Sequence, residues 1–245
     1  MTERTTRYLI GTSGWSYKHW MGRFYPVDLP REKWLEFYCQ HFPTVEINST
    51  FYRLPQERMV KGWFQRTPDG FRFAVKMSRH VTHLLRLRDC SDAVSNWWAR
   101  VQHLRHKLSV TLVQLPPSLH ADPPLLRDFL ALLPTNIRTA VEFRHESWHS
   151  ETVYQLLQEA GAALCIISHP TLPPHWVVTA PFVYVRMHGS AKRADSCYTA
   201  EELAEWAEHL LRLDPAVREV FVYFNNDFNA YAVTNAKQLS AMVQK

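Results

Sequence analysis

The sequence predicts an α/β protein of the (β/α)8, TIM-type barrel class with its sixth helix reduced or missing, and three observations carry that prediction. Short β-branched and aromatic runs alternate with amphipathic stretches along the whole chain, and eight such pairs can be counted. Most of the runs are continuously apolar, as parallel strands buried on both faces must be. The 245 residues match the ~250 that eight βα units occupy. A doubly wound open sheet is the runner-up. One hydrophobic core serves up to ~250–300 residues, and no linker, repeat or low-complexity tract interrupts the chain, so residues 1–245 read as a single domain.

The strands are expected at Tyr8 to Thr12, Thr44 to Asn48, Phe71 to Lys76, Val110 to Gln114, Thr139 to Phe143, Ala163 to Ser168, Phe182 to His188 and Glu219 to Asn225. After Asp92, Val94, Trp97, Trp98, Val101, Leu104 and Leu108 recur at helical spacing, with Arg100, Arg105 and Lys107 on the opposite face. Ser150 is placed to cap a helix that runs through Val153, Leu156, Leu157 and Ala160 and stops at Gly161. Thr199 with Glu202 reads as a capping box, and the last helix spans about Asn229 to Val243. The sixth helix fails because Pro170, Pro173, Pro174 and Pro181 crowd the segment that should form it. Trp34, Trp63, Trp97, Trp98 and Trp206 are assigned to the core.

Composition excludes some classes. A hydrophobic content of 46% rules out disorder, and no apolar run approaches the ~18–20 residues of a membrane span. Met1 to Ile10 carry Glu3, Arg4 and Arg7 without an apolar region, which argues against a secretory signal and for the cytoplasm. Cys39, Cys90, Cys165 and Cys197 have no zinc-type spacing and read as reduced thiols. The net charge of +5 is uneven, +9 over residues 1–107 and −4 over the rest, which suits an anionic ligand or partner.

In a barrel of this class, chemistry belongs at the C-terminal ends of the strands. Those ends carry Glu46 and Asn48, Lys76, Gln114, Glu142 and Arg144, Arg186 and His188, and Asn225, Asn226 and Asp227. Residues two apart share one face of a strand, so Glu46 pairs with Asn48, Glu142 with Arg144 and Arg186 with His188. Three long loops follow strands one, three and seven. The first holds Trp15, Tyr17, Trp20, Phe24 and Tyr25, the second Arg79, His80, His83, Arg86 and Arg88, and the third Lys192 and Arg193. Aromatic and basic loops suit a ring-shaped, negatively charged ligand such as a sugar phosphate or nucleotide.

Glu46 and Glu142 are the candidate general acid and base, with His188, Lys76 and Asp227 as further catalytic candidates. Arg144, Arg186 and Lys76 would hold anionic oxygens, and Asn48, Gln114, Asn225 and Asn226 would orient hydroxyls. Trp15, Trp20, Tyr52, Arg53, His83 and Tyr198 complete the expected ligand contacts. Lys76 could alternatively form a Schiff base. The close pairs His80/His83, His103/His106 and His145/His149 lack the Glu of a His-Glu-x-x-His helix. A divalent ion on Glu46, Glu142, His188 and Asp227 would compete with Lys76, Arg144 and Arg186, so no metal is assigned. Nor does any phosphate loop, dinucleotide fingerprint or nucleophile elbow assign a cofactor.

The chain resembles the YecE-like proteins, the domain of unknown function 72 family, over nearly its whole length. The resemblance rests on GTSGW at Gly11 to Trp15, FPTVEINSTFY at Phe42 to Tyr52, Thr82-His83, QLPPS at Gln114 to Ser118, EFRHESW at Glu142 to Trp148, YVRMHG at Tyr184 to Gly189, and YFNND at Tyr223 to Asp227 with Asn235-Ala236 downstream. It implies a TIM-barrel-type fold, and likeness to endonuclease IV and xylose isomerase barrels is one of fold alone. Family members commonly carry an acidic residue at the end of the sixth strand, where this chain has Ser168-His169. The leading expectation is acid/base chemistry on a small polar, anionic or sugar-like substrate. The alternatives are a nucleic-acid-binding protein or phosphodiesterase, and a non-catalytic ligand sensor.

Overall fold

The computed structural model describes residues 6–190 and 196–244. Eight parallel strands, β1 (Arg7–Ser13), β2 (Thr44–Ile47), β3 (Arg72–Lys76), β4 (Leu108–Gln114), β5 (Arg138–Glu142), β6 (Ala163–Ser168), β7 (Phe182–Met187) and β8 (Glu219–Phe224), follow one another in sequence order around a closed barrel. The accompanying α-helices are α1 (Trp34–Cys39), α2 (Ser49–Tyr52), α3 (Glu57–Gln65), α4 (Ser91–Val101), α5 (Pro123–Ala131), α6 (Glu151–Glu159), α7 (Ala200–Leu211) and α8 (Tyr231–Val243). The barrel class is therefore as predicted. Asn48, Phe143, His188 and Asn225 follow their strands instead of ending them. Lys192 and Arg193 of the third long loop, and Glu3 and Arg4, lie outside the described residues.

Contacts group the chain into two compact units. In the first (Met1–Glu46, Ile166–Trp176 and Pro181–Lys245), β1 pairs along β8 from Arg7↔Glu219 to Thr12↔Phe224, and β7 pairs along β8 from Phe182↔Glu219 to Met187↔Phe224. The buried Tyr38 of α1 ties two strands together: its hydroxyl accepts from the Thr12 amide at 2.9 Å and donates to the Thr44 carbonyl at 3.1 Å. The β1 backbone passes so close to Thr44 that a Cβ on Gly11 would stand 2.2 Å from the Thr44 oxygen. Between β6 and β7 no helix forms, as the prolines require. Instead Trp176 stacks on His209 (4.5 Å between centroids) and packs on Trp206 (4.9 Å) of α7. The predicted capping box at Thr199 and Glu202 is present. The last helix begins at Tyr231, two residues late, because Asn229 and Ala230 adopt left-handed φ of 52° and 61°.

Several expectations fail in the second unit (Ile47–Cys165 and Val177–Ala180). The helix expected to run to Leu108 stops at Val101, continues as a 3-10 turn and breaks at Arg105, whose φ is 51°, so that Leu108 can open β4. Lys107, assigned to the polar face, is buried instead. Its ammonium donates to the carbonyls of Phe64 (2.7 Å) and Thr67 (2.6 Å), groups that the C-terminal end of α3 leaves without helical partners. Ser150 stands at the N-cap of α6, but its side chain makes no capping bond; its carbonyl takes the Val153 and Tyr154 amides. Of the five core tryptophans, Trp34, Trp63 and Trp97 are buried, while Trp98 and Trp206 are half-buried.

Gly11 and Gly62 make a matched pair of tests. Gly11→Ala forces two backbones apart and should cost about 3 kcal/mol, the upper end for overpacking, lowering Tm by roughly 6–12 °C. Gly62, inside α3 with nothing within 4 Å of an added Cβ, should gain about 0.4–1 kcal/mol as alanine. Calorimetry of the two variants reads both signs, and a Gly11→Ala protein with unchanged Tm would contradict the close approach.

Candidate functional site

Polar side chains gather at the C-terminal strand ends in two clusters, one within each unit. The first is built on Glu46. As the last β2 residue but one, it is completely buried, and its carboxylate must find every partner inside the protein. Arg186 supplies Nε, 3.0 Å from Oε2, and Nη2, 2.8 Å from Oε1. The Tyr184 hydroxyl donates to Oε2 at 2.6 Å and Ser13 Oγ to Oε1 at 2.7 Å. Tyr184, Arg186 and His188 are spaced by two, so the pleat turns all three to one side. Burial, and then the Glu46 charge, hold the Tyr184 phenol protonated well above its ordinary range, which fits its role as donor.

His188 extends this cluster. Its Nε2 lies 3.4 Å from Arg186 Nη1, and its Nδ1 lies 3.2 Å from the Asn225 side-chain amide. Arginine can only donate, so Nε2 is the acceptor of that contact, and it is the side-chain nitrogen of Asn225 that faces Nδ1. Tyr198 is buried, donating to Ser168 Oγ at 2.7 Å while accepting from the Gly189 amide at 3.0 Å. Ser168, where the resemblance implies an acidic residue, thus serves as a hydroxyl partner of Tyr198. Asn226 donates to the Ser196 carbonyl (2.8 Å) and to Asn235 Oδ1 (3.0 Å), which in turn accepts from the Tyr198 amide (3.1 Å).

Several residues assigned to ligand contact are engaged in packing. Trp20 is fully buried and its indole donates to the Asp227 carbonyl at 3.1 Å. Tyr25 stacks flat on Trp34 at 4.6 Å, and Phe24 fills the space beside Phe37 and Tyr38. The aromatic loop after β1 is therefore largely a satellite core, and only Trp15 and Tyr17 of its rings keep partial exposure beyond Phe24. The Asp227 carboxylate faces His19 at 3.4 Å.

The second cluster occupies the ends of β3, β4 and β5. Register sets Gln114 beside Glu142. Lys76, 8% exposed, donates from Nζ to Gln114 Oε1 at 2.6 Å and sits 4.2 Å above the Phe51 ring. Glu142 is fully buried, and one oxygen is gripped by Arg144 Nε. His83 closes the group, edge-on to Phe51 at 4.9 Å with Nδ1 2.8 Å from the Thr82 hydroxyl. Desolvation first, then the charges of Lys76 and Arg79, push the His83 pKa below its ordinary value, with Glu142 opposing. At neutral pH the ring is uncharged.

The loop that carries His83 is unusual. His80–Leu84 form a π-helical turn, and Arg86, Leu87 and Asp89 all have positive φ. Such conformations cost free energy and collect at functional sites. Arg86 and Arg88, read as candidate phosphate contacts, are used to hold this loop: Arg86 donates to the Ser118 carbonyl at 2.7 Å, and Arg88 pairs with Asp122 at 3.2 Å. Tyr52 and Arg53 stand apart from both clusters, on a cleft considered below. Asn48 is half-buried. Ser13, Phe51, Thr82 and Tyr184 were not singled out as site residues. The spacing of two to Arg186 was the signal for Tyr184, whereas nothing local marks Ser13 or Phe51. Among the described residues no three His, Cys, Asp or Glu side chains come together in a way that could hold a metal ion.

Two measurements test these assignments. Arg186→Met leaves Glu46 buried without its cation, which costs roughly 3–5 kcal/mol and lowers Tm by roughly 6–20 °C. Glu46→Leu combined with Arg186→Met should recover much of the loss, because both charges then leave together. For His83, the folded protein binds its proton less readily than the unfolded chain. Its contribution is therefore complete above the ordinary histidine range and is lost as pH falls toward the depressed value. NMR titration should place its midpoint below 6.5, and His83→Gln should lose less stability than wild type between pH 7.5 and 5.5. A midpoint at or above 6.5 would overturn the argument.

The family model described as "Protein of unknown function DUF72" matches residues 9–245. The UPF0759 protein YunF of Bacillus subtilis is 27% identical over 94% of this chain and 92% of its own length. The UPF0759 protein YecE of Escherichia coli K12 is 30% identical over 74% of each. Among solved structures, a DUF72 family protein from Thermotoga maritima superposes with a TM-score of 0.89 at 31% identity, covering 98% of this chain and all of that one. One from Enterococcus faecalis gives 0.82 at 22% identity, over 97% and 96%, a likeness of fold. With a family model over nearly the whole chain and a barrel shared with a relative at 31% identity, the chain belongs to the DUF72 family.

Proposed function

We propose that the protein is an enzyme that moves protons on a small anionic, sugar-like substrate, with a sugar phosphate as the best-fitting chemistry. The observation that carries this reading is the grouping of a fully buried carboxylate (Glu142), a nearly buried ammonium (Lys76) and a neutral imidazole (His83) at the ends of β3 to β5. That is the end at which barrels of this class work. Two cations, Lys76 and Arg144, surround one carboxylate, so the cluster carries a net positive charge that attracts an anion.

In this reading Glu142 is the base, oriented by Arg144. His83 Nδ1 is held 2.8 Å from the Thr82 hydroxyl, and in the tautomer with its proton on Nε2 the ring gives that proton to an oxygen that gains charge as the substrate is deprotonated. Lys76 holds the anionic group, and Gln114 fixes the direction of Lys76. Glu46 acts through Arg186, as a positioning residue. His188 and Asn225 offer polar contacts beside that pair, and Asp227, engaged with His19 and Trp20, is given no role. The nucleic-acid alternative is the weaker one, since Arg86 and Arg88 are spent on Ser118 and Asp122. No helix among the described residues is long and apolar enough to cross a membrane.

Proton NMR in D2O with a panel of aldose and ketose phosphates tests the proposal. Wild-type protein should exchange a carbon-bound proton of at least one member for deuterium. Glu142→Gln should slow that exchange by about 10²–10⁴, the usual contribution of a general base, while still binding the ligand in a thermal shift assay. Ligands that raise Tm without any exchange or turnover would replace the enzyme reading by that of a ligand sensor.

A further inference from the structure

Beside the strained loop after β3 lies a cleft of about 660 Å³ that shares no lining residue with the Lys76, Gln114, Glu142 and Arg144 group. Its volume is that of a small-molecule site. The π-turn His80–Leu84 lines it through Val81 and Leu84, the end of α2 and the chain after it through Tyr52 and Leu54, and α4 through Trp97. Three of these side chains are apolar or aromatic and open to solvent: Tyr52 is 72% exposed, Leu54 40% and Leu84 60%. Large apolar side chains massed around a concavity cost free energy unless something covers them.

Two features fix what would cover them. Arg53 and Arg79 line the cleft and have no carboxylate partner among the described residues. Unlike Arg86 and Arg88, they are not used to hold the loop. Asp92, the acidic residue of the lining, sits in the first turn of α4, where the helix dipole offsets its charge. The second feature is Trp97. Its side chain is 1% exposed, yet its indole N–H is buried without an acceptor. A buried donor left unmade is costly, and such a group calls for a partner that would meet it.

We infer that this cleft is a second ligand site, for a small aromatic molecule that carries a phosphate. The ring packs between Tyr52, Leu54 and Leu84, the guanidinium groups of Arg53 and Arg79 take the phosphate as paired donors, and an oxygen of the ligand accepts the Trp97 indole proton as the ring tilts to meet it. The π-turn is common to this cleft, through Val81 and Leu84, and to the Glu142 cluster, through His83. The site stands on its own observations and does not depend on the reaction proposed above.

The test uses the whole protein labelled with ¹⁵N at the tryptophan indoles, with 1-naphthyl phosphate as the probe. The Trp97 resonance, assigned by its loss in Trp97→Phe or by contacts from naphthyl protons to the Leu84 methyls, should move downfield and saturate. Arg53→Ala combined with Arg79→Ala, both exposed positions, should weaken binding by about ten-fold or more, the loss of about 1.4 kcal/mol or more. 1-Naphthol and inorganic phosphate should each bind at least about ten-fold more weakly than the probe. 1-Naphthoate separates a phosphate site, which it fills poorly, from a general anion site, which it fills as well and which would overturn the phosphate assignment. Lys76→Met should leave the Trp97 shift unchanged. No saturable shift, a shift indifferent to the two arginines, inorganic phosphate binding as tightly as the probe, or loss of the shift in Lys76→Met would each overturn the inference.

Discussion

A carboxylate with no access to water has to be met by the protein from every side, and Glu46 is the group around which the first unit is arranged. Ser13 on β1 and Tyr184 and Arg186 on β7 are required at fixed heights along their strands, because a slip of one residue would turn them to the other face. The β1–β8–β7 register is the backbone expression of that requirement. Such a pair is not a source of net stability, since desolvation of both charges offsets their attraction. What it supplies is a penalty on every arrangement in which one partner is missing, and hence a single arrangement.

The contrast between the two clusters follows from their supply of donors. Around Glu46 the donors are an arginine, a phenol and a hydroxyl, all aimed inward. Glu142 is gripped by Arg144, while the lysine of its cluster is directed at a neutral amide and the uncharged imidazole at the Thr82 hydroxyl. The loop bringing His83 to that position is held in three left-handed residues by arginine contacts to Ser118 and Asp122. Conformational cost is concentrated beside the second cluster, and it is met by these cross-links together with the burial of Val81 and Leu87.

The strands were legible because parallel strands buried on both faces leave short apolar runs rich in β-branched and aromatic residues, and the pleat alone grouped Arg186 with His188. The clustering of proline after β6 announced the missing helix. Lys107 was not legible: helical spacing put it on a polar face, and only the tertiary position of the α3 C-terminus makes a buried ammonium favourable there. Trp20 looked like a ligand platform for the opposite reason, since an aromatic residue in a long loop carries no sign of whether the loop folds back on itself. The same limit applies to Ser13 and Phe51, whose partners are distant in sequence.

The segment that replaces the sixth helix has a consequence for the order of events during synthesis. A helix makes its backbone hydrogen bonds within its own segment. Trp176 has no such option, because the surface it stacks on, Trp206 and His209, is about thirty residues further along the chain. At ~5–20 residues per second, the nascent chain carries an uncovered tryptophan and an uncovered β6 for a matter of seconds before α7 exists to receive them. That interval is the point at which this barrel is most open to association with other chains, and it is set by four prolines.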